Sequence, residues 1–153
     1  MGKDECIFCK IVTGNTPSYK VWEDKKHLAF LSIFPNTEGV TVVLPKKHYG
    51  SYFADVPEKV AIELVKASRK VSKLIDSKIK DVGRTAMVFE GFGVNHLHTK
   101  LFPMHGTKNN KEWKPITSKN NNFLKKYEGF ISTNDCNKMS KSELERVWKT
   151  LKE

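Results

Sequence analysis

His96, His98 and Lys100 stand at alternate positions in the stretch VNHLHTKLFP, residues 94–103, of a chain that has only five histidines. Side chains of an extended segment alternate faces, so these three share one face while Leu97, Thr99 and Leu101 share the other. A neutral imidazole, with an unperturbed pKa of about 6.5, is nucleophilic at neutral pH. A lysine two positions on adds fixed positive charge. Such a row either lines an active site or forms the solvated stripe of an amphipathic strand. A stripe accommodates one histidine readily, but H-x-H-x-K behind a glycine turn favours the active site.

Cys6 and Cys9 form a C-x-x-C near the N-terminus. A redox role calls for this motif after a strand in a thioredoxin-like βαβ pattern, which is missing. A zinc role calls for two further nitrogen or sulfur ligands, with His27, His48, His96, His98 and His105 as candidates. Two buried free thiols are the plain reading. Cys136, far away in a polar tail, reads as an ordinary thiol, and the odd count argues against a disulfide framework.

The elements that must hold these residues can be followed along the chain. CIFCKIVTG, from Cys6, is apolar at 7, 8, 11 and 12 and closes at Gly14, which suits a short helix. SYKVWED from Ser18 and HLAFLSI from His27 read as a hairpin, FPNTEG (34–39) as a loop, and VTVVLP from Val40 as a third strand. A long helix is expected from Asp55, as N-cap, to about Lys80, with Pro57 in its first turn and Glu58 completing a capping box. Its apolar stripe is Val60, Leu64, Ala67, Val71 and Leu74. TAMVF (85–89) is a fourth strand, EGFG (90–93) a glycine turn, and NHLHTKLF (95–102) a fifth, antiparallel to the fourth. Ser140 to Glu143 is a second capping box, with a stripe of Leu144, Val147, Trp148 and Leu151. Strands and helices in this segregated order predict an α+β domain with a five-stranded antiparallel sheet, a long packed helix and a C-terminal helix.

Composition narrows the class. The net charge is +10, from 27 Lys plus Arg against 17 Asp plus Glu, and only Arg69, Arg84 and Arg146 are arginines. Lysine-rich charge favours an anionic ligand in general, while compact arginine clusters for base recognition are absent. Nucleic acid is therefore not the favoured partner, despite Trp113 in a polar segment. No apolar run approaches the roughly 20 residues of a membrane helix, and the first ten residues have no apolar segment of secretory type. A cytoplasmic protein with no membrane partner is the expectation.

Four motifs in order resemble the histidine-triad (HIT) superfamily: CIFCKIVTGNTP from Cys6, ED at 23 with LAFLSI from Leu28, GVTVVLPKKH from Gly39, and GVNHLHTKLFP from Gly93. The resemblance covers roughly residues 1–105, a nucleotide-binding and catalytic domain, leaving 106–153 as an extension expected to pack on it. It implies an α+β fold, a homodimer and cleavage at the α-phosphorus of a nucleotide derivative. His98 would attack to form a nucleotidyl-histidine, and Lys100 would face the phosphate. Cys6, Cys9, His48 and His96 would hold a structural Zn2+, a closed Cys₂His₂ set. Ile7, Phe8, Ile11, Phe30, Ser32, Ile33 and Gly93 would line the nucleotide site.

The chain departs from the family pattern in three places. Lys100 replaces the third histidine, keeping positive charge near the phosphate but titrating far from neutrality. Ser32 stands where an acidic residue often grips the ribose diol, and Val40 where a histidine is common. The leading expectation is a hydrolase of phosphoramidates, dinucleoside polyphosphates or adenylylated species. The alternatives are a nucleotidyltransferase or phosphorylase of the same superfamily, or a zinc-stabilised nucleotide- or nucleic-acid-binding module without turnover.

Overall fold

The computed structural model describes residues 5–108 and, beyond them, 115, 118–120, 123–127, 129, 140 and 142. Five strands, Lys20–Glu23 (β1), His27–Leu31 (β2), Thr41–Pro45 (β3), Thr85–Val88 (β4) and Thr99–Pro103 (β5), form one antiparallel sheet in the order β1-β2-β3-β5-β4. Two helices join it, Ile7–Val12 (α1) and Glu58–Lys78 (α2). The chain divides into two compact units, Met1–Glu112 and Trp113–Glu153, and the sheet and both helices belong to the first. Trp113, Cys136 and the stripe from Leu144 to Leu151 lie outside the described residues. No helix among the described residues is long and apolar enough to cross a membrane.

The sheet is covered on both faces, which is why β2 and β3 read as continuous apolar runs rather than alternating ones. Ala29 of β2, Val43 of β3 and Leu101 of β5 pack with Leu64, Ala67, Val71 and Ile75 of α2. Leu28, Phe30, Val42 and Leu44 point the other way and pack with Cys6, Phe8 and Cys9 around α1. Strand register agrees: Leu28 lies opposite Leu44, Ala29 opposite Val43, and Phe30 opposite Val42. In β5, Lys100 lies opposite Val42 and so belongs to the α1 face. Thr99 is turned to α2, where its hydroxyl meets that of Ser68 at 2.7 Å with both residues fully buried.

Helix α2 starts later than its capping signals indicate. Asp55 ends a short 3-10 turn, Phe53–Asp55, while Val56 and Pro57 are extended and no side chain caps the helix. The reason lies in Pro57, whose ring pushes the preceding residue out of helical space and separates Asp55 from the first turn. The buried stripe also drifts at its end: Ile75, not Leu74, completes it.

The fifth strand is shorter than expected. Asn95 to His98 lie ahead of β5, where the Leu97 N–H bonds to the Tyr49 carbonyl at 3.0 Å and the His96 N–H folds back onto the Val94 carbonyl at 2.8 Å. The link from β4 to β5 therefore spans residues 89–98 rather than four residues. Gly91 and Gly93 supply the positive φ, 78° and 87°, that lets it turn back. The facing read from the sequence nevertheless holds, although residues 93–96 are bent rather than extended. Leu97 and Leu101 enter the α2-side core, and His96 and His98 face Phe8 on the other.

Candidate active site and metal centre

Helix α1 brings its N-cap residue Cys6 and, one turn on, Cys9 towards the end of β3 and the segment ahead of β5. His48, just past β3, and His96 complete a group whose four ligand atoms all lie within 4.8 Å of one another. Cys6 Sγ is 3.5 Å from His96 Nδ1, Cys9 Sγ is 3.6 Å from the same nitrogen, and Cys9 Sγ is 3.3 Å from His48 Nδ1. Tetrahedral zinc, with Zn–S of ~2.3 Å and Zn–N of ~2.05 Å, sets sulfur and nitrogen ligands about 3.6 Å apart. The spacing fits.

The tautomer fits as well. His96 Nε2–H donates to the Pro45 carbonyl at 2.8 Å, which leaves the Nδ1 lone pair facing both sulfurs. That one lone pair can accept a single S–H, so two thiols converging on it are poorly served by ordinary hydrogen bonds and well served by a cation. Burial holds the ring neutral, with its pKa down to about 4. His27 and His105, the other candidates, are committed elsewhere. His27 Nδ1 meets the Asp24 carboxylate at 3.1 Å. His105 bridges Asp81 through Nδ1 and the Glu38 carbonyl through Nε2, each at 3.0 Å.

His98 sits apart from this group and is 3% exposed, with its Nδ1–H donated to the His96 carbonyl at 2.7 Å. A carbonyl only accepts, so the proton is on Nδ1 and the lone pair is on Nε2. Burial lowers its pKa below the ordinary imidazole value, aided by nearby Lys100 and opposed by the His96 carbonyl and Glu90. The side chain is thus a neutral imidazole with an oriented nucleophilic nitrogen.

Lys100 is half-buried, and its ammonium pairs with the Glu90 carboxylate at 2.9 Å. Sequence reading assigned Glu90 only to a glycine turn. The signal that finds it is register: Val88, at the end of β4, lies opposite Lys100, and Glu90 follows two residues later, within reach of the same strand.

Of the expected nucleotide-site residues, Phe8, Ile11 and Phe30 come together in one apolar cluster with Val42, Leu44 and Val94. The Phe8 ring stands edge-to-face to Phe30 at 5.5 Å and to His98 at 5.2 Å between centroids. Gly93 has open space where a side chain would be. Ile7 and Ile33 lie outside the cluster, 42% and 69% exposed. Ser32 accepts the Phe34 N–H at 3.2 Å, so its hydroxyl keeps one hydrogen to donate. Lys46 is paired with Glu23 at 2.7 Å, and Lys47 lies 5.3 Å from the Tyr49 ring centroid.

The sheet, the two covering helices and the paired histidines define a protein of histidine-triad type. Residues 13–107 match the HIT domain, and the chain belongs to the HIT family. It is 36% identical over 107 residues to an uncharacterized HIT-like protein of Methanocaldococcus jannaschii, covering 65% of this chain and 79% of that one. It is 31% identical over 103 residues to the adenosine 5'-monophosphoramidase HNT1 of Saccharomyces cerevisiae, covering 67% of this chain and 65% of that one. Among solved structures, a HIT-family protein of Bacillus subtilis superposes with a TM-score of 0.65 at 26% identity, covering 96% of this chain and 94% of that one. The matched HIT segment starts after α1, so the two cysteines enter the site from outside it.

Proposed function

We propose that this chain hydrolyses a small nucleotide derivative at its α-phosphorus, with His98 as nucleophile. The observation that carries the reading is the 2.7 Å bond from His98 Nδ1–H to the His96 carbonyl, which aims the Nε2 lone pair away from the backbone. Nε2 attacks phosphorus, the leaving group departs with the bonding electrons, and a nucleotidyl-histidine forms. Water then displaces the histidine. Lys100, on the same face, stabilises charge on the phosphoryl oxygens. The base is accommodated by the apolar edge at Phe8, Ile11 and Phe30, with Gly93 leaving room and the Ser32 hydroxyl offering one hydrogen bond to the ribose. The relative named adenosine 5'-monophosphoramidase supports a phosphoramidate as substrate.

Cys6, Cys9, His48 and His96 would hold a structural zinc, and all four donors being protein atoms, it would act as a staple for α1 and the segment carrying His98. The homodimer that the resemblance implies would be read directly by light scattering coupled to gel filtration. The test of the catalytic reading is AMP release from an adenosine phosphoramidate. Wild type should release AMP and carry adenylate on His98 when quenched early, and His98→Ala should do neither. Equal turnover by His98→Ala would sink the mechanism. Tight nucleotide retention without AMP release would favour a binding module.

A further inference from the structure

Lys100 does not face the phosphate side of His98 as a bare cation. Its ammonium is 2.9 Å from the Glu90 carboxylate, and the Glu90 side chain is only 15% exposed, so the pair is partly withdrawn from water. Lys100 stands near the start of β5 on the sheet face that carries Phe30 and Val42, and Glu90 lies two residues past the end of β4, whose Val88 is opposite Lys100. Both charges act on His98, in opposite senses. Glu90 thus places a carboxylate beside the one positive charge that Lys100 brings.

We propose that Glu90 is a specificity-determining residue, which makes the site prefer nucleotides with a singly charged phosphoryl group over those bearing a polyphosphate chain. The proposal rests on the reading of His98 as the nucleophile and names the substrate class of that same site. The physical argument is a difference of affinities. An incoming phosphate shares Lys100 with a carboxylate already bonded to it, which a single negative charge tolerates. Each further phosphoryl group adds negative charge near that carboxylate, and a fixed like charge penalises the more charged ligand selectively. Adenosine phosphoramidates and AMP esters of weakly charged groups are favoured, and dinucleoside polyphosphates and nucleoside triphosphates are disfavoured. Removing one unit charge beside the site, partly screened by solvent, changes such a preference by about tenfold.

The test compares kcat/KM for an adenosine phosphoramidate and for a dinucleoside polyphosphate, in wild type, Glu90→Gln and Glu90→Asp. Glu90→Gln should move the ratio about tenfold towards the polyphosphate, whichever way the absolute rates go, and Glu90→Asp, which keeps the charge, should stay with wild type. A purely structural role for Glu90 would lower both substrates together and leave the ratio alone. Movement of less than about threefold, or movement towards the phosphoramidate, overturns the proposal. Should Glu90→Gln fail to fold, Glu90→Ala replaces it with the same expected direction. Equilibrium binding of AMP against ATP reads the discrimination without turnover, and an unchanged affinity ratio there also overturns it. Turnover by His98→Ala equal to wild type, with the ratio still shifting in Glu90→Gln, would instead remove the nucleophile assignment and keep the charge filter.

Discussion

His98 donates its Nδ1–H to the backbone carbonyl of His96 at 2.7 Å, so its ring is aligned by a residue whose own side chain belongs to the Cys₂His₂ group. His96 is fully buried and committed at three points: Nε2 to the Pro45 carbonyl, Nδ1 to the cysteine sulfurs, and its carbonyl to His98. Two residues of separation in sequence thus become a mechanical link between the Cys₂His₂ group and the His98 ring. Whatever fixes His96 also fixes the tautomer of His98.

Metal removal is the direct probe of that link. Purified protein should carry one zinc per chain by elemental analysis, and Cys9→Ser should lower it. A site a thousandfold below saturating metal in Kd contributes ~4 kcal/mol to folding. For a domain of this size that is roughly 15 °C in Tm, so chelation should produce a drop of that order. Turnover should fall along with it. Protein prepared without chelators that binds no zinc, and whose Tm ignores added zinc, would remove the metal assignment.

How much of this was legible beforehand depends on the distance over which each feature is encoded. Both helices, the first hairpin and the antiparallel sheet follow from local periodicity and turn residues. The H-x-H spacing marks His96 and His98 even though neither lies in a regular strand: the chain bends through 93–96, yet both rings still meet Phe8. The structure groups His96 with the cysteines, whereas the proposed assignment of the chemistry to His98 comes from the resemblance, since spacing alone leaves five histidines as candidate ligands. Glu90 was not legible at all. Its partnership with Lys100 depends on the register of β4 against β5 after a ten-residue link, and nothing local in EGFG announces it. Ile7 and Ile33 were assigned by motif position, whereas their exposure is decided by how α1 and the loop after β2 leave the sheet.

Phe8 joins the apolar cluster to both histidine rings, 5.2 Å from His98 and 6.0 Å from His96 between centroids. Phe8→Ala should cost about 3 kcal/mol, the lower end for truncating a buried aromatic, because α1 is short and can partly collapse into the gap. Denaturant unfolding reads this. Phe8→Leu should recover most of the stability but not the edge-to-face contact with His98, so its kcat should remain below wild type. Full recovery of kcat by leucine would show that Phe8 only fills space.

Asp55 looks like a helix cap and does not act as one. Val56 and Pro57 separate it from Glu58, and no side chain caps α2. Asp55→Ala should therefore change stability by less than about 0.5 kcal/mol, as for an ordinary surface substitution. A functional N-cap would lose ~1 kcal/mol. A loss of the larger size in denaturant unfolding would restore the capping box.

The ion pair of His105 with Asp81 makes stability depend on pH in a predictable direction. The Glu38 carbonyl and the Asp81 carboxylate raise the His105 pKa above its ordinary value, and His105 in turn lowers that of Asp81. A raised histidine pKa means that the folded state binds the proton more tightly than the unfolded chain does. Its contribution is therefore fully present below the unfolded value of about 6.5 and is lost as pH rises through the higher folded value. The Asp81 shift has the opposite window, since its contribution is present above the unfolded carboxylate pKa and is lost in acid. Thermal melts of wild type and His105→Gln should thus differ most near pH 5.5 to 6 and converge towards pH 8, to within the small loss of the Glu38 contact. Both residues are exposed, so the difference should be modest and should shrink in high salt. A gap between the two proteins that widens with rising pH would show that His105 contributes as a neutral ring instead.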